Sequence, residues 1–396
     1  MSVRAVYIVS PYRSAVGKAK RGSLAHTRPD DLCSDVVTGV LKRTPSLDPA
    51  LIEDVIVGCA MPEAEQGMNV GRVIALLSGL PYSVPGFTVN RLCASGLQSI
   101  ALAADRIASG GSECILAGGT ESMSMVPMMG NKPVGSLRIA ENYPSIYLSM
   151  GLTAEKVSQK YQVSREEQDQ FAFHSHRKAL RAMENHDFDE EILPITVKRK
   201  TAHLSDGSVQ EETMVFDKDE GPRADTNLET LAKLRAVFLR GGVVSAGTSS
   251  QMSDGAAMCL VCSEAFVKTH NLAPMARFAG FAVAGVPPQI MGIGPMEAIP
   301  KALKKAGINQ DQLERIELNE AFAAQSIAVI NILKLNPEMV NPTGGAIALG
   351  HPLGATGARL TSTLLHGLKR QKQKWGMVTM CIGTGMGAAG VFESLV

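Results

Sequence analysis

The chain has no run of eighteen apolar residues, so no segment of it suggests a membrane-spanning helix. It also has no dominant charge: 39 Lys and Arg stand against 38 Asp and Glu, for a net +1. That balance argues against a phosphate-backbone binder, and no nucleic acid partner is expected. With 45% hydrophobic residues the chain lacks the composition of a disordered protein. Its seven cysteines (33, 59, 93, 114, 259, 262 and 381) are odd in number and scattered, which excludes a small disulfide scaffold and fits a reducing compartment. The stretch Met1 to Ser10 is too short in apolar residues for a signal peptide, and Glu393-Ser394-Leu395-Val396 is not a Ser-Lys-Leu type address. A cytoplasmic location is the expectation.

What is present is a rhythm. Short β-branched runs (Ala5 to Ser10, Val55 to Gly58, Cys114 to Ala117, Val378 to Cys381) alternate with alanine- and leucine-rich helical stretches such as Val70 to Ser78 and Gly96 to Ser109, which predicts an α/β fold. At 396 residues, two or three packed units are expected. Overlaying Cys93 on His351, a shift of 258, suggests a duplication and carries Asn319 back onto Met61. The middle differs: Glu121 to Met150 is methionine-rich, Thr153 to Asn185 is charged and helical, and Val197 to Arg223 carries turn signals at Asp206-Gly207 and Glu220-Gly221-Pro222. It reads as an insertion into the first half, with a second half beginning near Ala273.

Four short motifs carry chemistry. Cys93, in Asn90-Arg91-Leu92-Cys93-Ala94-Ser95-Gly96, lies at the amino end of a predicted helix, where unpaired N–H groups are expected to lower a thiol pKa. His351 sits between Gly350 and Pro352 ahead of another helix, as a rigidly held general base would. Cys381 precedes Gly383-Thr384-Gly385-Met386-Gly387, whose small residues let backbone N–H groups face an oxyanion. Asn319-Glu320-Ala321-Phe322 supplies an amide. Cys259 and Cys262 have half-zinc spacing without a second pair and are expected to be buried strand residues; no metal is expected. His174 and His176 are expected to be solvated on a charged helix.

Together these motifs resemble the thiolase family over essentially the whole chain. Gly17 to Leu24, Ser245 to Ala256 and Ala346 to Gly357 are most similar to the degradative 3-ketoacyl-CoA branch. The resemblance implies a thiolase fold: duplicated βαβαβαββ halves in a five-layer α-β-α-β-α arrangement with an inserted loop domain. The divisions expected are 1–120 plus 250–272 for the first half, 121–249 for the loop domain and 273–396 for the second half. It implies acyl-CoA substrates with coenzyme A as co-substrate, no permanently bound cofactor, and a homodimer or homotetramer; a β-oxidation complex is left open as a partner. By the same likeness Cys93 is the nucleophile, Cys381 the acid/base cysteine, His351 the base and Asn319 the holder of an oxyanion-hole water. The N–H groups of Cys93 and Gly383 form a second oxyanion hole, while Arg223, Thr230, Ser250, Met150, Met291, Ala321 and Phe322 line the coenzyme A path. Ser149 stands where many biosynthetic relatives carry histidine, and Met123, Met125, Met128 and Met129 read equally as an adaptable wall for longer acyl chains or as ordinary core methionines. A biosynthetic acetoacetyl-CoA enzyme is the alternative, and a silent acyl-CoA binder the alternative of another class. A decarboxylating ketoacyl synthase fits less well, since it would place a second histidine at Asn319.

Overall fold

The computed structural model describes residues 4–202 and 207–396. Met1, Ser2, Val3 and Asp206, which entered the sequence reading, lie outside them; Gly207 has the left-handed backbone of a turn, at φ +69°. The β-branched runs form one ten-stranded mixed sheet. Its main path runs Arg315–Leu318, Trp375–Ile382, Met386–Ser394, Pro274–Gly285, Val6–Arg13, Ser253–Ser263, Cys114–Ser122, Asp54–Gly58 and Phe87–Val89. The two halves of this sheet are joined where Val6–Arg13 pairs antiparallel with Pro274–Gly285, through Tyr7↔Arg277 and Ile8↔Ala276.

Strand periodicity assigns each side chain to a layer. Cys114 and Leu116 face the outer helices Pro29–Lys42 and Val70–Leu77, whereas Ile115 and Ala117 face inward onto Ser95–Ala108 and Thr356–Gln371. The inward core also receives Val378, Met380 and Ile382 from the second half. Met377, Ala389 and Val391 turn the other way, onto Gly294–Ala306 and Ala323–Leu333. Helix, sheet, helix, sheet, helix is therefore the order of layers. The central helices meet backbone to backbone: a Cβ on Gly96 would lie 2.8 Å from the Gly354 carbonyl oxygen, and one on Gly357 would lie 2.3 Å from the Leu97 nitrogen.

The duplication is visible, with a register that corrects the expected one. A shift of 261 carries Asp54 onto Arg315, Leu92 onto Leu353, Ser95 onto Thr356 and Cys114 onto Trp375, each the first residue of its element. His351 thus corresponds to Asn90 rather than Cys93, and Asn319 to Gly58 rather than Met61. The third strand of the second half shrinks to a single bridge between Ile316 and Val340. Between Cys114–Ser122 and its antiparallel partner Ser253–Ser263 the chain leaves the sheet. It forms the helices Met150–Tyr161 and Arg165–Glu184, the second opened by a Ser164/Glu167 capping box, and the hairpin Ile195–Ala202 with Val209–Phe216.

Buried charge ties this excursion to the sheet. Arg13, fully buried, donates to Glu191 at 2.6 Å and bidentately to Asp219 at 2.8 and 2.9 Å. Removing one member of such a cluster strands the others in a dry interior. We expect Arg13→Ala to cost about 3–5 kcal/mol, measured as a fall in chemical-denaturation midpoint; a midpoint within error of wild type would refute this.

Candidate active site

Local hydrogen bonds present Cys93. The Asn90 side chain accepts the Leu92 N–H at 2.8 Å, while the Ser95 hydroxyl accepts the Arg91 N–H at 2.9 Å and donates to the Leu92 carbonyl at 2.7 Å. Between them Leu92 is held at φ +45°, a left-handed backbone that a leucine adopts only under constraint. The short turn Leu92–Ala94 follows and feeds the helix Ser95–Ala108, so Cys93 does stand at a helix amino end. Of the seven cysteines, all free, it alone is not fully buried.

The expected fall in its pKa is not what the surroundings produce. Burial pushes the Cys93 thiol up to about 11; the backbone N–H groups of Gly383 and of Cys93 itself pull against that shift, and the nearby Glu121 carboxylate adds to it. The Cys381 thiol is raised further, first by burial and then by Cys93. Dehydration outweighs the helix end because the turn lies under the apolar side chains of Ala60, Met123 and Leu353. Iodoacetamide should therefore alkylate Cys93 before the other six, at a rate that climbs with pH through the neutral range towards 11. A plateau below pH 8, followed by peptide mass mapping, would contradict this.

His351 is placed by its own backbone and ring. Its N–H lies 3.2 Å from both the Gln251 carbonyl oxygen and the Ser253 hydroxyl, and Gly350 before it takes φ +96°. Ring Nδ1 is 2.7 Å from the Thr356 hydroxyl, and Nε2 is 3.3 Å from Asn319 Nδ2. With the Asn319 amide donating, Nε2 is an acceptor and Nδ1 carries the proton; this tautomer is assigned from the donors. Burial and then the Arg359 charge push the imidazole pKa down to about 3, so the ring is neutral at physiological pH. Asn319 Oδ1 is buried with no hydrogen-bond partner among the described residues.

The structure thus brings Cys93, Cys381 and Gly383 together at one point and Asn319 and His351 at another. The turn Leu353–Ala355 after His351 packs against the turn that carries Cys93. Around Cys381 cluster Met150, Met291, Ala321 and Phe322. Ser250 joins them by donating its N–H to the Ala321 carbonyl at 3.0 Å. Arg223 and Thr230 stand apart on the exposed face of the excursion: Arg223 pairs with Asp225 at 3.2 Å, and the Thr230 N–H caps onto Asn227 at 2.9 Å. His174 is exposed, but His176 is buried and Nδ1 accepts the Arg223 N–H at 3.2 Å, with its pKa pushed down to about 4, first by burial and then by Arg223. Of the four methionines expected as a wall, only Met123 packs beside Cys93; Met128 and Met129 are exposed. Cys259 and Cys262 are buried in the strand Ser253–Ser263.

Sequence reasoning missed Thr356, Arg359 and Glu121. Thr356 and Arg359 had a signal available, five and eight residues past His351 in the first turn of the helix Thr356–Gln371; buried Glu121 acts on Cys93 from a separate strand and left none.

A duplicated α/β fold with two thiols, a neutral imidazole and an amide carried on its strand ends and on the turns before its central helices defines a class of acyl-transferring enzymes. Two family models fit the chain, the thiolase N-terminal domain over residues 6–265 and the thiolase C-terminal domain over 272–394. The chain belongs to the thiolase family. It is 53% identical to a 3-ketoacyl-CoA thiolase of Bacillus subtilis, with 98% of each chain covered. It is 43% identical to the peroxisomal 3-ketoacyl-CoA thiolase 5 of Arabidopsis thaliana, covering 98% of this chain and 85% of that one. The crystal structure of the Bacillus anthracis acetyl-CoA acetyltransferase superposes with a TM-score of 0.89 at 38% identity, over the full length of both.

Proposed function

We propose that the protein is a 3-ketoacyl-CoA thiolase, an acetyl-CoA acyltransferase that uses coenzyme A to shorten a 3-ketoacyl-CoA by two carbons. The observation that carries the reading is the meeting of the Cys93 sulfur with the Gly383 N–H and Cys381, together with a neutral imidazole, paired with Asn319, whose following turn Leu353–Ala355 packs on the turn of Cys93. His351 takes the Cys93 proton as the sulfur attacks the C3 ketone. The Cα–Cβ bond then breaks, with the enolate oxygen of departing acetyl-CoA stabilised by His351 and an Asn319-held water. Cys381 protonates the enolate carbon and is reprotonated from His351. Coenzyme A, deprotonated by His351, attacks the acyl-Cys93 carbonyl, whose oxygen faces the N–H groups of Cys93 and Gly383. Cys93 leaves and recovers the proton. The kinetics are ping-pong.

The same reading makes 121–249 the coenzyme A-binding loop domain and assigns Met150, Arg223, Thr230, Ser250, Met291, Ala321 and Phe322 to the coenzyme A path. The strand Phe87–Val89 ends the sheet without a further neighbour among the described residues, flanked by Met68 at 95% and Tyr82 at 89% exposure and by exposed Leu76 and Leu77. A second copy of the chain suits that edge, and a sedimentation mass near 42.0 kDa would exclude the homo-oligomer. No helix among the described residues is long and apolar enough to cross a membrane.

The test is coenzyme A-dependent loss of 3-ketoacyl-CoA absorbance on acetoacetyl-CoA beside a long-chain 3-ketoacyl-CoA. Faster cleavage of the long substrate supports the degradative enzyme. Preference for acetoacetyl-CoA favours the biosynthetic reading, which the likeness to the Bacillus anthracis structure keeps in view. Cleavage of neither leaves a silent binder.

A further inference from the structure

Two buried carboxylates that take no part in the proton transfers above hold the segment bearing His351 from opposite ends. Glu121, in the strand Cys114–Ser122, accepts the N–H of Ala60 at 2.7 Å and of Gly354 at 2.8 Å on one oxygen. Its other oxygen accepts the Met61 N–H at 3.2 Å and the side-chain amide of Gln66. Gln66 is itself fixed, donating to the Met61 carbonyl at 2.9 Å and accepting the Ser122 N–H at 3.0 Å. Glu320, next in the chain to Asn319, accepts the Ser175 hydroxyl at 2.6 Å, the Asn341 amide at 2.8 Å and the Ile347 N–H at 3.2 Å. His351 lies between the two anchored residues, Ile347 and Gly354.

Each carboxylate is almost fully buried, and burial raises both pKa values against the pull of their donors. A charge kept in so dry a place is a costly way to gain stability. Glu121 moreover faces Cys93 with a negative charge, which opposes thiolate formation. What an acceptor-only group does achieve is the gathering of several donors from separate segments at one point. We propose that Glu121 and Glu320 are positioning residues that together set the place of His351 relative to Cys93 and Asn319. The proposal rests on the thiolysis reading above.

Glu121→Gln and Glu320→Gln in the full-length chain test it. The amide keeps the shape but turns an NH2 towards N–H donors that need an acceptor. The expected result is a kcat lower by roughly tenfold to a hundredfold with KM little changed, as for a displaced catalytic group. In Glu121→Gln the Cys93 alkylation profile should also move to lower pH, because a negative charge has left its surroundings, while the six buried cysteines, including Cys59 whose thiol lies 3.8 Å from Glu121, stay shielded from the reagent by burial. Turnover then falls as thiol reactivity rises. Wild-type kcat in both variants would overturn the proposal, as would alkylation of all seven cysteines together or failure of both variants to fold, since the carboxylates would then serve stability alone. If the wild type cleaves no 3-ketoacyl-CoA, the thiolysis reading falls by itself, and the selective shift in Cys93 alkylation still decides whether Glu121 acts on the site.

Discussion

Cys93→Ser is expected to lower kcat on the order of 10⁴-fold or more, the scale on which loss of a covalent nucleophile is felt, while thermal unfolding stays at the wild-type midpoint. The two side chains differ by one atom, and Cys93 is half-buried at the edge of a small apolar cluster, so the packing change is slight. The chemical change is large. A hydroxyl is a far weaker acid than a thiol even when that thiol is raised to about 11, and an imidazole whose pKa is down to about 3 is too weak a base to make up the difference. The variant should also fail to gain the mass of an acyl group when incubated with an acyl-CoA, whereas the wild type should carry it on the peptide containing Cys93. Turnover within tenfold of wild type would remove Cys93 from the mechanism and send the search to Cys381.

The layers of the fold were legible because they rest on periodicity. Alternation at Cys114 to Ala117 and the helical spacing after Gly96 are local patterns, and the structure places them as two faces of a strand and a central helix. The register of the duplication was not legible, because the halves share element order but few identities, and aligning two conspicuous residues gave a shift three positions short. The candidate residues beside glycine and proline were legible because those residues mark unusual backbone, as at Gly350 with φ +96°. Charge states were not. The helix amino end at Cys93 is local and visible, whereas the apolar cover from Ala60, Met123 and Leu353 comes from three distant segments and reverses its effect. His176 was misjudged for a related reason: its helix is charged overall, yet its own face is covered by the turn at Arg223. Buried polar anchors such as Glu121 and Arg13 are the least visible, since a lone Glu or Arg in a sequence carries no mark of the segments it will join.

For His351→Ala the loss should be about 10³–10⁴-fold in kcat/KM, the upper range for a positioned general base, and the shape of the pH profile should change with it. With the imidazole pKa down to about 3 and the thiol up to about 11, a pre-formed thiolate–imidazolium pair is strongly disfavoured in the free enzyme. Proton transfer to Nε2 must then accompany carbon–sulfur bond formation. The sign of the pH dependence follows. In the wild type both groups keep one protonation state from pH 5 to 8, so kcat/KM should be flat there, with no acid limb at the ordinary histidine pKa near 6.5. In His351→Ala only spontaneously ionised Cys93 can attack, and residual activity should rise about tenfold per pH unit up to the thiol pKa. The second half-reaction loses the same base, so acyl-Cys93 once formed should persist long enough for intact mass measurement. An acid limb near 6.5 in the wild type would refute the neutral, deeply shifted imidazole, and a flat profile in the variant would mean that another base takes the Cys93 proton.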